Sequence, residues 1–265
     1  MDKIRDMDSY VRSMSATMYD KCWWVDKISP EIDTVVDFGC AQGDLALFLD
    51  RLKPGKFKYI GVDNSQEMLS LARHNHYLHF DKPDSMFCME LSDAINKCDP
   101  SKSVLVLNSV MHEIFSYMSV PDANAQLAEM FGAGFHAIAI RDMYKYSNQG
   151  MVDKEMFDIC VCNSKYDGMW NEYNAYMDSE FNKDVPCIED RIVEFLLKYR
   201  YINNWEREMK EIYLWDWLSL IKNHTKEYQA VFDIKFSIPY IRQRIREDIG
   251  IDLFADTHRK VLFTK

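Results

Sequence analysis

Two small groups of residues have types and spacings from which chemistry can be built. The first is Asp37, Gly39, Cys40, Ala41 and Gly43, with Asp63 following 20 residues after Gly43. Glycines at 39 and 43 permit φ above zero and let a ligand approach the main chain with no Cβ in the way. Ala41, between them, is the next smallest choice. A carboxylate at 63 can accept hydrogen bonds from both hydroxyls of a ribose. The second group is Asn108, Ser109, His112 and Glu113, with Arg141 and Asp142 further on. An imidazole with an ordinary pKa of ~6.5 suits taking a proton near neutrality. A structural histidine that caps or orients its loop is the alternative. Arg141 and Asp142 suit either a charged ligand or ionic pairing, with each other or with residues 143–228.

The elements that must position these residues follow from the apolar pattern. Thr34 to Asp37 reads as an apolar, β-branched strand, Gly39 to Gly43 as a turn, Asp44 to Leu52 as a helix, and Tyr59 to Val62 as a second strand ending at Asp63. Such a unit closes by a right-handed crossover in a parallel sheet. It sets the turn and a helix N-terminus at the strand's C-terminal edge, where these sheets bind nucleotides. Ser65–His76 reads as a helix, Met86–Met89 as a third strand, Ser103–Leu107 as a fourth and Phe135–Ile140 as a fifth, with a helix over Pro121–Phe131. Unbroken apolar character in the fourth strand fits a strand covered on both faces.

The loop is G-x-A-x-G, so it differs from the G-x-G-x-x-G of dinucleotide binders and lacks the Gly-Lys-Ser/Thr ending of a nucleoside-triphosphate loop. The ordered pair D-F-G-C-A-Q-G and Y-I-G-V-D-N-S-x-x-M-L resembles motifs I and II of the class I S-adenosylmethionine (SAM)-dependent methyltransferases. That resemblance covers residues 30–140 strongly and 229–265 weakly. It implies an α/β fold with a doubly wound, mostly parallel seven-stranded sheet, and SAM as cofactor with S-adenosylhomocysteine as product. By the same resemblance the cofactor contacts are Asp37, Gly39, Cys40, Ala41, Gly43, Asp63, Asn64 and Met68. Leu91 and Ser92 would lie beside the adenine, with Asp93 or Glu90 as the acid for its amine. Asn108 and Ser109 fall at motif IV, and Lys21, in a leading segment that covers the cofactor, would reach the methionine carboxylate. His112, Glu113 and Arg141 are then the catalytic candidates. Asn108 shares only its first letter with an N-P-P-Y amino-methyltransferase motif, and no Pro-Cys signature of cytosine-C5 chemistry is present.

Residues 2–27 look helical from Met7, Tyr10, Val11, Met14 and Met18, and Trp23 and Trp24 read as packing residues. Residues 143–228 mix many aromatics with many charges and are too long for a structureless loop. They read as a largely helical, aromatic-rich cap insertion between strands 5 and 6, with helices near Arg191–Tyr199 and Trp215–Asn223. Strands over Gln229–Ile238 and His258–Thr264 flank a basic helix, Pro239–Ile249. The expected organisation is 1–29 helical segment, 30–142 SAM-binding core, 143–228 cap, and 229–265 completing the sheet.

A net charge of −10 argues against a chain whose main task is gripping a phosphate backbone. The acceptor expected is therefore a small molecule held under the cap. RNA or a nucleotide is the alternative, through Lys198, Arg200, Arg207 and Arg242–Arg246, and a SAM-binding regulator without turnover is a third reading. The seven cysteines include a C-x-C at 160–162, and His74, His76 and His79 lack supporting ligands in a metal pattern, so no metal is expected. With no secretory h-region and no run of 18 apolar residues, the expectation is a cytoplasmic protein without a membrane partner.

Overall fold

In a computed structural model, residues 17–79, 86–145, 152–181 and 187–265 are described. They fall into two compact units. One takes in the described residues up to Asp142 with Trp217–Ile234 and Arg259–Lys265; the other takes in Met143–Asp216 and Lys235–His258.

The first unit carries the sheet. A single helical turn, α1 (Met18–Lys21), precedes β1 (Thr34–Phe38), α2 (Asp44–Leu52), β2 (Lys58–Val62), α3 (Gln66–His79), β3 (Met86–Cys88), α4 (Leu91–Ile95) and β4 (Ser103–Asn108). After these come α5 (Met111–Tyr117), α6 (Val120–Gly132) and β5 (Ala137–Met143). β1 and β4 are buried over nearly their whole length, as central strands with both faces covered must be.

Among the described residues, the helix expected over 2–27 covers Met18–Lys21, and residues 22–27 form turns. Cys22, Trp24 and Val25 are all buried, and positions two apart do not share a helix face, so the chain turns to bury them. Met7, Tyr10, Val11 and Met14 lie outside the described residues. Trp24 is fully buried and Trp23 stacks on Phe232 at 5.1 Å, both packing residues.

The second unit is helical: α7 (Lys154–Cys162), α8 (Asp167–Phe181), α9 (Ile188–Lys198) and α10 (Trp205–Lys210). Its aromatic residues build its own core. Phe195 sits within 5.3–6.3 Å, ring to ring, of Phe157, Trp170, Tyr173, Tyr199 and Trp205. Tyr146 and the Phe181 side chain lie outside the described residues. The chain ends with α11 (Trp217–Ile221), β6 (Gln229–Phe236), α12 (Pro239–Ile249) and β7 (His258–Thr264). Residues 217–228, read from sequence with the insertion, group with the sheet, and the basic helix α12 groups with the helical unit.

The seven strands lie in the order β3-β2-β1-β4-β5-β7-β6, with β1 to β5 mutually parallel. β7 runs against β5: Lys265 donates its N–H to the His136 carbonyl, and Tyr144 to that of Thr257. The order reverses between β1 and β4, and crevices at such a switch point are where open α/β sheets take their ligands.

Candidate active site

The glycine loop leaves β1 at this switch point. Gly39 and Gly43 both have φ of +79°, and a Cβ at Gly39 would press on the Val110 side chain at 3.1 Å. Gly39 and Cys40 donate N–H bonds to the Val62 carbonyl, tying the loop to β2. Ala41 carries the uncommon φ of +47°, and its N–H donates to Asp63 Oδ2 at 2.9 Å. Asp63 also accepts from Ser65 N–H at 2.9 Å. The acid read from sequence as a ribose ligand thus holds the strained loop as well, and each oxygen retains a lone pair. Burial raises its pKa, and the two N–H bonds work against that rise.

A cleft opens beside the loop, lined by Gly39, Cys40, Ala41, Asp37, Asn108, Met18 and Lys21. Three polar groups there are almost wholly buried. Asp37 accepts from Tyr59 OH at 2.6 Å, and its pKa is raised to about 6 by burial, against the pull of that bond and of Lys21. Burial lowers the Lys21 ammonium to about 8; Arg141 adds to the shift, and Asp37, Asp44 and Asp142 oppose it. Asn108 donates from Nδ2 to the Lys21 carbonyl at 3.3 Å, while its Oδ1 is buried with no partner. A buried acceptor left open is costly unless something fills it.

One strand over, the chain leaves β4 through Ser109 at φ +57° and starts α5. His112 is buried there, its Nδ1 2.7 Å from Asp142 Oδ1. Asp142 Oδ2 also accepts the N–H groups of Met111 and His112, so one carboxylate caps α5 and fixes its histidine. Sequence reasoning missed this pair because it ended the fifth strand at Ile140. In the extended strand, neighbours 141 and 142 face opposite sides. They therefore do not pair with each other: Arg141 Nε donates to Asp20 Oδ2 at 2.6 Å and its NH1 to Ser109 Oγ at 3.0 Å.

The remaining expected residues differ in burial. Met68 and Leu91 are buried, whereas Asn64, Ser92, Asp93 and Glu90 are exposed and Glu113 is half-buried. His76 packs between Tyr59 and Phe87, His74 is exposed, and the His79 side chain lies outside the described residues. Tyr59 and Asp20 escaped the sequence reading. Asp20 lies 121 residues from Arg141, a separation no local pattern reveals.

A glycine loop at the switch point, an acid at the tip of β2 and an antiparallel last strand define the class I SAM-dependent methyltransferase fold. Residues 35–134 match the family model described as a methyltransferase domain, and this part of the chain is a class I SAM-dependent methyltransferase domain whose cofactor is SAM. Among curated proteins the chain is similar to a ribosomal protein L11 methyltransferase of Alteromonas mediterranea, at 32% identity over 39% of this chain and 41% of that one. It is also similar to a carboxy-S-adenosyl-L-methionine synthase of Mannheimia succiniciproducens, at 32% identity over 37% of this chain and 38% of the other. The matches span about two fifths of those relatives' length. A solved structure of an O-methyltransferase family protein from Burkholderia thailandensis shares the fold, with a TM-score of 0.51 and 13% identity over 97% of this chain and 59% of that one. Among the described residues, no helix is long and apolar enough to cross a membrane.

Proposed function

We propose that the protein is a SAM-dependent methyltransferase that acts on a small molecule and uses His112 as its general base. The observation that carries this reading is the buried His112–Asp142 pair at the tips of β4 and β5, one strand from the glycine loop. Bound SAM supplies an electrophilic methyl group on a sulfonium. The residues around the cleft fit it: the open Asn108 Oδ1 and Asp37 suit the α-ammonium, Lys21 the α-carboxylate, and Asp63 the ribose hydroxyls.

Methyl transfer is an in-line displacement, so holding the acceptor near the methyl with water excluded supplies most of the catalysis, ~7–11 kcal/mol. Asp142 at Nδ1 selects the tautomer in which Nδ1 carries the proton and Nε2 is the basic nitrogen. His112 would then take the acceptor's proton at Nε2, and Asp142 would stabilise the resulting imidazolium. A nucleophile that must lose a proton, such as a hydroxyl, is the acceptor class this arrangement suits.

The RNA alternative is weakened by where its basic residues go. Arg200 makes two bonds to Asp248, Arg246 pairs with Asp252, Arg242 with Asp256, and Arg244 donates to the Leu196 and Leu197 carbonyls. Lys198 and Arg207 are buried. A basic face that grips phosphate needs cations free to exchange counterions.

Release of S-adenosylhomocysteine, followed across a panel of small hydroxylated acceptors and across total RNA, tests the proposal. Product formation with a member of the small-molecule panel, lost in His112→Ala, is the expected result. Turnover confined to RNA, or equal turnover in His112→Ala, would overturn the acceptor class or the base respectively.

A further inference from the structure

The backbone bonds that align β5 with β7 also set their register. They pair 136 with 265 and 144 with 257, which places Arg141 directly opposite Lys260. Like charges opposed across an antiparallel pair repel. Here both side chains are almost buried, 2% and 10% exposed, which sharpens the repulsion. Asp20 answers it. One oxygen accepts from Arg141 Nε at 2.6 Å and the other from Lys260 Nζ, so a single carboxylate seats on two cations.

Asp20 belongs to α1, whose neighbouring residues Met18 and Lys21 help line the cleft. A four-residue helix has no stability of its own. Residues 22, 24 and 25 are anchored in the core below it. Above that anchor the turn is held by Asp20, by the Asn108 bond to the Lys21 carbonyl, and by Tyr19, itself largely exposed, against the edge of Phe48. The same Arg141 that receives Asp20 donates to Ser109 Oγ at the left-handed corner between β4 and α5.

We propose that Asp20 is a positioning residue for cofactor capture: seated on the Arg141–Lys260 pair, it holds Met18 and Lys21 at the cleft and steadies the corner from which His112 projects. The proposal rests on the methyltransferase reading of the cleft. It makes the turn containing Lys21 a keyed cover, with cofactor exchange governed by how often the carboxylate leaves its seat.

The test compares wild type, Asp20→Asn, Asp20→Glu and Lys260→Met. S-Adenosylhomocysteine dissociation is followed by stopped flow and affinity by calorimetry; the KM for SAM and kcat are measured on whichever acceptor supports turnover. Asp20→Asn should speed dissociation about tenfold and raise KM by more than it lowers kcat, the pattern of lost binding rather than lost chemistry. Asp20→Glu should recover part of the loss, and Lys260→Met, which removes the repulsion but keeps the Arg141 contact, should be milder than Asp20→Asn. If Asp20→Asn fails to fold, Asp20→Glu and Lys260→Met decide the matter. Dissociation and KM within twofold of wild type in every folded variant, with only a lower melting temperature, would overturn the proposal. A wild-type protein that binds neither SAM nor its product would instead overturn the cofactor reading, and this inference with it.

Discussion

The two units bury charged groups in opposite ways. In the helical unit, Lys198 is fully buried, yet it donates to Glu194 Oε1 at 3.0 Å and to the Glu211 carbonyl at 2.6 Å, and lies over the rings of Tyr213 and Tyr173. Glu194 Oε1 also accepts the Tyr213 N–H, the Tyr213 hydroxyl meets Glu208, and Arg207 stands between Glu208 and Glu211. These groups are bonded to one another within the unit. Around the glycine loop, Lys21 and Asp37 are buried with their pKa values pushed toward neutrality, and Asn108 keeps an open acceptor facing a cleft. Charge density alone does not mark a site; incomplete satisfaction beside open space does.

Substitutions in the two regions should therefore separate function from stability. The largest functional effect is expected from His112→Ala, with turnover ~10²–10⁴-fold lower and cofactor affinity unchanged in calorimetry. Loss of affinity together with a lower melting temperature would make His112 a scaffold residue instead. Lys198→Met leaves buried carboxylates uncompensated and should cost ~3–5 kcal/mol in urea unfolding, while the folded fraction keeps its cofactor affinity. A change in affinity there would mean that the buried network is not mere scaffolding.

Asp37→Asn should act with the opposite sign. A carboxyl raised from 3.8 to about 6 binds protons more tightly in the folded chain, so its contribution to stability falls as pH rises through that window and is unfavourable at pH 7. A shift of about 2 units corresponds to about 3 kcal/mol, so the amide variant should be more stable at pH 7 by up to that amount, yet bind cofactor more weakly. A variant less stable than wild type at pH 7 would show that Asp37 is needed for the fold. Asp63→Ala should weaken cofactor binding as well. It removes the partner of the Ala41 N–H and the proposed ribose contact, ~1.5–3 kcal/mol for each charged hydrogen bond, read as a rise in Kd. Unchanged affinity would reduce Asp63 to a loop staple.

Much of the sheet unit was legible because its signals are local. Apolar β-branched runs gave the strands, small residues at 39, 41 and 43 the loop, and the observed bounds of Asp44–Leu52, Pro239–Ile249 and His258–Thr264 match the sequence reading. What was not legible depends on pairing across the sheet. Three extra strand residues beyond Ile140 decide that Asp142 serves His112 while Arg141 turns to Asp20, and only the register with β7 brings Lys260 into play. The aromatics of 143–216 show the converse limit. Their abundance was visible in the sequence, but helical periodicity does not say whether a ring lines a cavity or fills a core, and here Phe195 and its neighbours fill a core.

The proposed cofactor site turns on Lys21, whose ammonium titrates near 8 rather than 10.5 because it is buried. An anionic ligand group needs the charged form, so affinity gained from Lys21 is present below that pKa and is lost as pH rises through it. Calorimetric titration of S-adenosylhomocysteine into wild type and Lys21→Met, from pH 6.5 to 9.5, reads this directly, because titration of the ligand's own amine is common to both proteins. Wild type should bind at least about tenfold more tightly at pH 7, the cost of one charged hydrogen bond, with the gap closing toward pH 9.5. Equal affinities at pH 7 would contradict the assignment of the cleft.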